Sequence, residues 1–248
     1  MSSGLHPSAS SAKPAGDGLS AVEQLQRFLK GNTRSRQRLW LQLQSLGSEL
    51  YQPIWEHLEQ LDRLPTDWAT GSLLRLLAVD PDQLLKLQQT YSDGWLIAPS
   101  VEHTTYCELQ LALLSGDLQE ADRLTSVQLR RLAGSAAEDR GYVYFSEVPA
   151  MPEADLSFID AAWWFYSNGR FSFRVQRQLL ERLGWRWEEL WPRIGWKQDG
   201  VWTRYPGAFT WSHDAPDGHM PLVNQLRGVR LMDALLRHPA IDRVCSTP

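Results

Sequence analysis

Residues 155–211 read DLSFIDAAWWFYSNGRFSFRVQRQLLERLGWRWEELWPRIGWKQDGVWTRYPGAFTW. Two amphipathic helices can be drawn through the first half. Asp155 stands where a helix cap belongs, Phe158, Ile159, Ala162, Trp163 and Tyr166 recur on one face, and Asn168-Gly169 supplies a terminator. Ser172 is placed to cap the next helix, which turns Val175, Leu179 and Leu183 inward and closes at Gly184. The one strand signal is Asp199-Gly200 between Trp196 and Trp202, and a two-residue turn of that kind makes a small ribbon. This stretch dictates a helical fold.

It also holds eight of the twelve tryptophans, Trp163, Trp164, Trp185, Trp187, Trp191, Trp196, Trp202 and Trp211. An indole offers roughly 150–250 Å² for burial but carries one N–H that needs an acceptor, which favours the edge of a core or the wall of a ligand site. Seven arginines, among them Arg170, Arg174 and Arg177, lie between the aromatics. Aromatic planes beside guanidinium groups suit a flat apolar ligand with anionic groups, or a stacked RNA base. They equally suit an aromatic helical core with solvated arginines. A net charge of −4 argues against a dedicated nucleic-acid binder.

Working outward towards the N-terminus, short turns separate helical periods. Ser20-Ala-Val-Glu23 is a capping box, Gly31 and Gly47 end helices, Pro53 falls in a first turn, and Asp80-Pro81 is a cap followed by a first-turn proline. These describe a helical bundle over residues 19–98, after a Ser/Ala/Gly/Pro-rich tail, 1–18, expected to be disordered. The basic run Lys30, Arg34, Arg36 and Arg38 reads as a solvated helix face. Turn formers at Ser92–Ser100 break the period and mark a boundary, so a second domain is expected over 99–242, with a tail at 243–248. There Thr105 and Glu108 form a further capping box, and residues 134–152 read as a loop around the apolar run Tyr142-Val-Tyr-Phe145. A second aromatic loop runs from Tyr205 to Gly218. Pro221 then starts a last helix that carries Leu222, Leu226, Val229 and Leu236 and stops at Pro239.

Much chemistry is missing. There is no phosphate-cradling glycine loop, nucleophile elbow or zinc-binding His-Glu-x-x-His helix, and Cys107 and Cys245 fit no metal-ligand spacing, so a reducing compartment is expected. His213, Asp214, Asp217 and His219 read as turn chemistry rather than a metal site. No acid, base or nucleophile pair can be named, so no catalytic or metal residue is assigned. No apolar run reaches the ~20 residues that cross a bilayer.

Four segments, ELQLALLSGDLQEADRLT, YVYFSEVPAMPEADLSFID, WWFYSNGRFSFRVQ and APDGHMPLVNQLRG, resemble in order the pattern of the genomes-uncoupled-four family, tetrapyrrole-binding regulators of magnesium chelatase in cyanobacteria and plastids. The match covers about Thr105 to Pro239, and the bundle before it resembles the accessory domain of cyanobacterial members. The resemblance implies an all-α cupped hand with two long loops as walls of an apolar palm. It implies binding of protoporphyrin IX and Mg-protoporphyrin IX, no catalysis, and stimulation of magnesium chelatase through its large porphyrin-binding subunit. A monomer is implied, with no nucleic-acid partner, in the cytoplasm of a cyanobacterium or the stroma of a plastid, and with peripheral membrane association.

Carried over by motif, Asn224 and Arg227 sit at the palm with Arg227 near a propionate. Phe209 and Trp211 lie in the later loop, Val143 and Phe145 in the earlier one. Asn168, Gly169 and Phe171 shape a turn between helices, and His219 is structural, with an axial ligand of a magnesium porphyrin as its other reading. Two departures stand out: Ser172 replaces a glycine of the family pattern, and Ala162 a larger apolar residue. A carrier or chaperone of a linear tetrapyrrole (a bilin), and a protein-interaction module with an apolar groove, are the alternatives. The bundle is expected to be dispensable for pigment binding.

Overall fold

The computed structural model describes residues 18–98, 106–223 and 229–246, which form two compact units, Met1–His57 and Leu58–Pro248. The fold is all-α, apart from one two-stranded ribbon among the described residues.

The first unit holds α1 (Ala21–Lys30) and α2 (Thr33–Leu46), then a tight 3-10 turn, and α3 (Tyr51–Leu58) ends at the division. The capping box forms: the Ser20 hydroxyl accepts from the Glu23 N–H, and the Glu23 carboxylate accepts from the Ser20 N–H at 2.8 Å. Leu25 and Phe28 are buried, with the Trp40 ring tilted on Phe28 at 5.9 Å. Within the basic run, Arg34 and Arg38 are exposed, but Arg36 is not simply solvated. It donates to the carbonyls of Phe28 and Leu29 at 3.0 and 2.6 Å, two acceptors at the C-terminal end of α1.

The second unit is built on α9 (Glu153–Tyr166), whose Leu156, Ile159, Ala162, Trp163 and Phe165 are fully buried. Against it pack α4 (Trp68–Ala78), α6 (Cys107–Ser115), α7 (Leu118–Ala133), α10 (Phe173–Arg182) and α13 (Pro239–Ser246). Gly71 lets α4 approach closely, because a Cβ there would collide with the Phe165 carbonyl. The molecule therefore divides at 57/58, whereas turn chemistry placed the boundary at 98/99: α4 and α5 (Pro81–Thr90) lie in the second unit. A local turn signal reports where the chain bends and cannot report which faces become partners.

Other differences have equally local causes. The helix around Trp163 starts at Glu153, and Asp155 is not its cap; that carboxylate is buried and accepts from the Tyr106 phenol at 2.8 Å. Residues 134–152 are partly helical, with α8 (Ser135–Arg140) and a 3-10 turn at Val148–Ala150. Leu222 and Val223 are not helical, α12 spans Arg230–Leu236, and Pro239 opens α13 instead of stopping a helix, as a proline at the first helical position does. Ser172 caps α10, and Asp199-Gly200 joins β1 (Lys197–Gln198) to β2 (Val201–Trp202), with Lys197 opposite Trp202. Thr105 lies outside the described residues.

The tryptophans are largely absorbed by the fold. Trp163 donates its N–H to the Thr125 hydroxyl at 2.8 Å, and Trp196 donates to the His219 carbonyl at 2.8 Å. Trp191, on α11 (Trp187–Arg193), stacks on Trp187 and Trp196 and tilts on Trp202, closing the ribbon onto its helix. Several arginines are held by the fold as well. Arg174 pairs with fully buried Asp160 at 2.5 Å and lies over Trp164, while Arg177 and Arg237 lie over Trp185.

Candidate functional site

A cleft of ≈ 200 Å³ opens between α7, the loop after α8, and the segment that leads towards α12. Leu129 and Arg130 of α7, Val143 and Met151 of the loop, Leu222 and Val223, and Leu231 and Leu235 of α12 line it. The apolar floor follows from the helical period of α7, which turns Leu124, Thr125, Gln128 and Leu129 inward and leaves Arg130 half-buried at the edge.

The walls are fixed by polar contacts. Arg140 donates to Glu147 at 2.8 Å and to the Tyr142 carbonyl at 3.0 Å, and its guanidinium lies over the rings of Tyr142 and Tyr144. Glu147 also accepts from the Tyr144 N–H at 2.7 Å, and that bond, with Arg140, holds its carboxyl below the usual range. On the other side, buried Asp122 of α7 accepts from the Leu222 N–H at 2.7 Å. Burial pushes its pKa up to about 7, against the opposing pull of that hydrogen bond. The later loop forms a second aromatic group: Tyr205, Phe209 and Trp211 meet ring to ring at 5.9–6.1 Å, and Trp211 donates to the Pro206 carbonyl at 2.9 Å. Burial, and then the Asp122 charge, raises the Tyr205 phenol pKa, which sets this loop beside α7.

Of the residues expected at the palm, Val143 lines the cleft and is 7% exposed. Phe145 is 45% exposed, under the Arg230 guanidinium at 5.4 Å and outside the cleft lining. Phe209 is buried against Trp211 and His219, and Trp211 is half-buried; neither lines the cleft. Asn224 and Arg227 lie outside the described residues. Asn168 accepts from the Ser72 hydroxyl at 2.7 Å at a left-handed turn position. His219 is buried, its Nδ1 2.6 Å from the Ile194 carbonyl and its Nε2 without a partner among the described residues; burial lowers its pKa.

Sequence reasoning missed Arg130. Among the described residues it has no ion-pair partner, unlike Arg170, Arg174 and Arg177 of the tryptophan-rich stretch. The signal was present: Arg130 follows buried Leu129 by one position, so it borders the apolar face of α7.

Residues 99–239 match the GUN4-like family model. The chain belongs to the GUN4-like family. It is 48% identical over 154 residues to a Ycf53-like protein of Synechocystis sp. (strain ATCC 27184 / PCC 6803 / Kazusa), covering 62% of this chain and 66% of that one. It is 34% identical over 146 residues to the protein of Arabidopsis thaliana named tetrapyrrole-binding protein, chloroplastic, covering 55% of each. The chain thus spans less than two thirds of the length of either curated relative. Among solved structures, GUN4 from Chlamydomonas reinhardtii superposes with a TM-score of 0.56 at 33% identity, over 59% of this chain and 94% of that one. The ligand-free GUN4 of Arabidopsis thaliana gives 0.52 at 34%, over 56% and 99%. The cleft, the two aromatic loops and α9 all fall inside the GUN4-like segment, whereas α4 and α5 precede it.

Proposed function

We propose that this GUN4-like chain is a non-catalytic tetrapyrrole-binding regulator that takes protoporphyrin IX and Mg-protoporphyrin IX at the cleft of α7 and stimulates magnesium chelatase through its large porphyrin-binding subunit. The observation that supports it is an apolar cleft, inside the GUN4-like segment, bordered by the guanidinium of Arg130, which has no ion-pair partner among the described residues. A macrocycle edge removes apolar surface from water at ~25 cal/mol per Å², and a guanidinium orients a propionate through charge-assisted hydrogen bonds. At ≈ 200 Å³ the cleft is smaller than the ~300–1,000 Å³ of sites that enclose a whole ligand, so it takes one edge and leaves the rest of the ring towards the aromatic loops. Val143 packs on the ring, Phe145, Phe209 and Trp211 shape the approach, and Asn224 and Arg227 complete the site. The chain works as a monomer, in a cyanobacterial cytoplasm or plastid stroma, and meets membranes only peripherally.

Titration of the full chain with protoporphyrin IX tests this reading. A Soret shift and tryptophan quenching that saturate at one ligand per chain are expected, together with faster magnesium insertion when the loaded chain is added to the chelatase. Saturation by a bilin and none by either cyclic porphyrin would overturn the ligand assignment.

A further inference from the structure

On α4, Gly71, Ser72 and Arg75 share the face turned towards the end of α9, as residues three and four apart on a helix do. Gly71 lets the two backbones meet at the Phe165 carbonyl, and Ser72 donates its hydroxyl to the Asn168 side chain at 2.7 Å. One turn further on, Arg75 reaches past the end of α9. Its guanidinium donates to the Tyr166 carbonyl at 3.3 Å, to the Asn168 side chain at 3.4 Å and, through its second terminal nitrogen, to Nδ1 of His213 at 3.3 Å. Tyr166 is the last residue of α9, where helix carbonyls lack an N–H of their own. Among the described residues Arg75 has no ion-pair partner, and burial lowers its pKa to about 10, so it is a charge held by neutral acceptors. Packing alone does not ask for an arginine here, because an apolar side chain would fill the space without that desolvation.

His213 belongs to the later aromatic loop, two positions after Trp211 and four after Phe209. Arginine has donors only, so Nδ1 accepts from it and the neutral ring carries its proton on Nε2. Nε2 has no partner among the described residues, so the Arg75 contact, not a bond at Nε2, selects this tautomer. Burial first, and then the Arg75 charge, bring the His213 pKa down to about 4. Arg170 adds to this, and the Tyr166 carbonyl and the Asp214 charge oppose it. Arg170 also holds the backbone of the same loop: it donates to the carbonyls of His213 and of Ala215, the latter at 2.7 Å, and pairs with Asp217 at 2.6 Å. Arg170 lies within the GUN4-like segment, whereas Arg75 precedes it.

We propose that Arg75 is a positioning residue of the tetrapyrrole site: from α4, outside the GUN4-like segment, it fixes His213 and with it the later aromatic loop that shapes the pigment's approach. A residue spans at most ~3.6 Å of chain, so Trp211 lies within about 7 Å of His213 and follows any shift of it. This inference rests on the porphyrin reading.

Three substitutions in the full chain test it. Arg75→Met fills the space without charge or donors, His213→Leu removes the acceptor, and His213→Asn keeps one near the Nδ1 position. Long-range proton–nitrogen spectra of the wild type, with His213 assigned from its loss in His213→Asn, should show an Nε2–H ring that stays neutral from about pH 5 to about pH 8. In Arg75→Met that ring should take mixed tautomers and protonate at higher pH than in the wild type. Protoporphyrin IX should bind Arg75→Met and His213→Leu each about three- to fivefold more weakly than the wild type, the double variant no more weakly than either, and His213→Asn within about twofold of the wild type. Effects that multiply in the double variant, an unchanged affinity in a folded Arg75→Met chain, or a wild-type His213 with its proton on Nδ1 would each overturn the proposal. If Arg75→Met loses its helical circular dichroism, the His213 variants decide, and equal affinity of the Leu and Asn forms overturns it. A wild-type chain that takes no porphyrin overturns the porphyrin reading and this inference together; wild-type binding with an unchanged variant overturns this inference alone.

Discussion

Two side chains on α7 invite direct tests. Asp122 is buried with one backbone donor and, with a pKa of about 7, keeps its proton in the folded chain after the unfolded chain has lost it near pH 4. Folded protein then binds more protons than unfolded, so stability falls as pH rises from about 4 to about 7 and levels off above. Asp122→Asn keeps the acceptor for Leu222 and cannot ionise. Denaturant midpoints should therefore show the variant gaining on wild type over that window, by roughly 4 kcal/mol at most; a constant difference from pH 4 to 8 would refute the assignment. Arg130, about two turns further along α7 than Asp122, tests the ligand. Arg130→Ala should weaken protoporphyrin IX binding about tenfold, the loss of roughly 1.4 kcal/mol expected for a partly exposed charge-assisted contact. A propionate diester should bind both forms alike. If Arg227→Ala alone shows this pattern, the carboxylate belongs to that residue and Arg130 only borders the cleft.

Among the helices, α4 and α9 depend on each other through Gly71, where no side chain fits against the Phe165 carbonyl. Gly71→Ala would ordinarily favour a helix by about 1 kcal/mol. Here the methyl group must push α4 away from α9, so the variant should be destabilised by about 1–3 kcal/mol in equilibrium unfolding. A more stable variant would show that the two helices separate without cost. The pairing of Arg174 with fully buried Asp160 ties α10 to α9 in the same manner. Neither relation has a sequence signature, since a glycine inside a helical period and an acid on an apolar face look like defects until the partner helix is known.

For the whole molecule, the division at 57/58 changes what truncation should do. The solved GUN4 chains are matched over 94% and 99% of their lengths by little more than half of this chain, and the GUN4-like segment, 99–239, begins after α4. A fragment of residues 101–248 should fold and bind porphyrin within about tenfold of the full chain, but it exposes the face of α9 that α4 covers. Its thermal midpoint should therefore lie several degrees below that of residues 58–248. Equal midpoints would mean that α4 adds nothing to the second unit.

Local periodicity and capping were enough to read the all-α class, the hairpin at Asp199-Gly200 and the Ser172 cap, because each depends on residues at most four apart. Family motifs carried the likeness that the GUN4-like match then established. Contacts between residues distant in the chain were not legible. Asp155 looks like a cap and instead receives Tyr106, and several of the tryptophans and arginines that suggested a ligand site contact one another, as Trp191 does Trp196 and Arg174 does Trp164. Asp122 reaches across 100 positions to Leu222. A helical period tells a side chain to face inward; what it meets there is set by which helices pack together, and that is decided only in the folded chain.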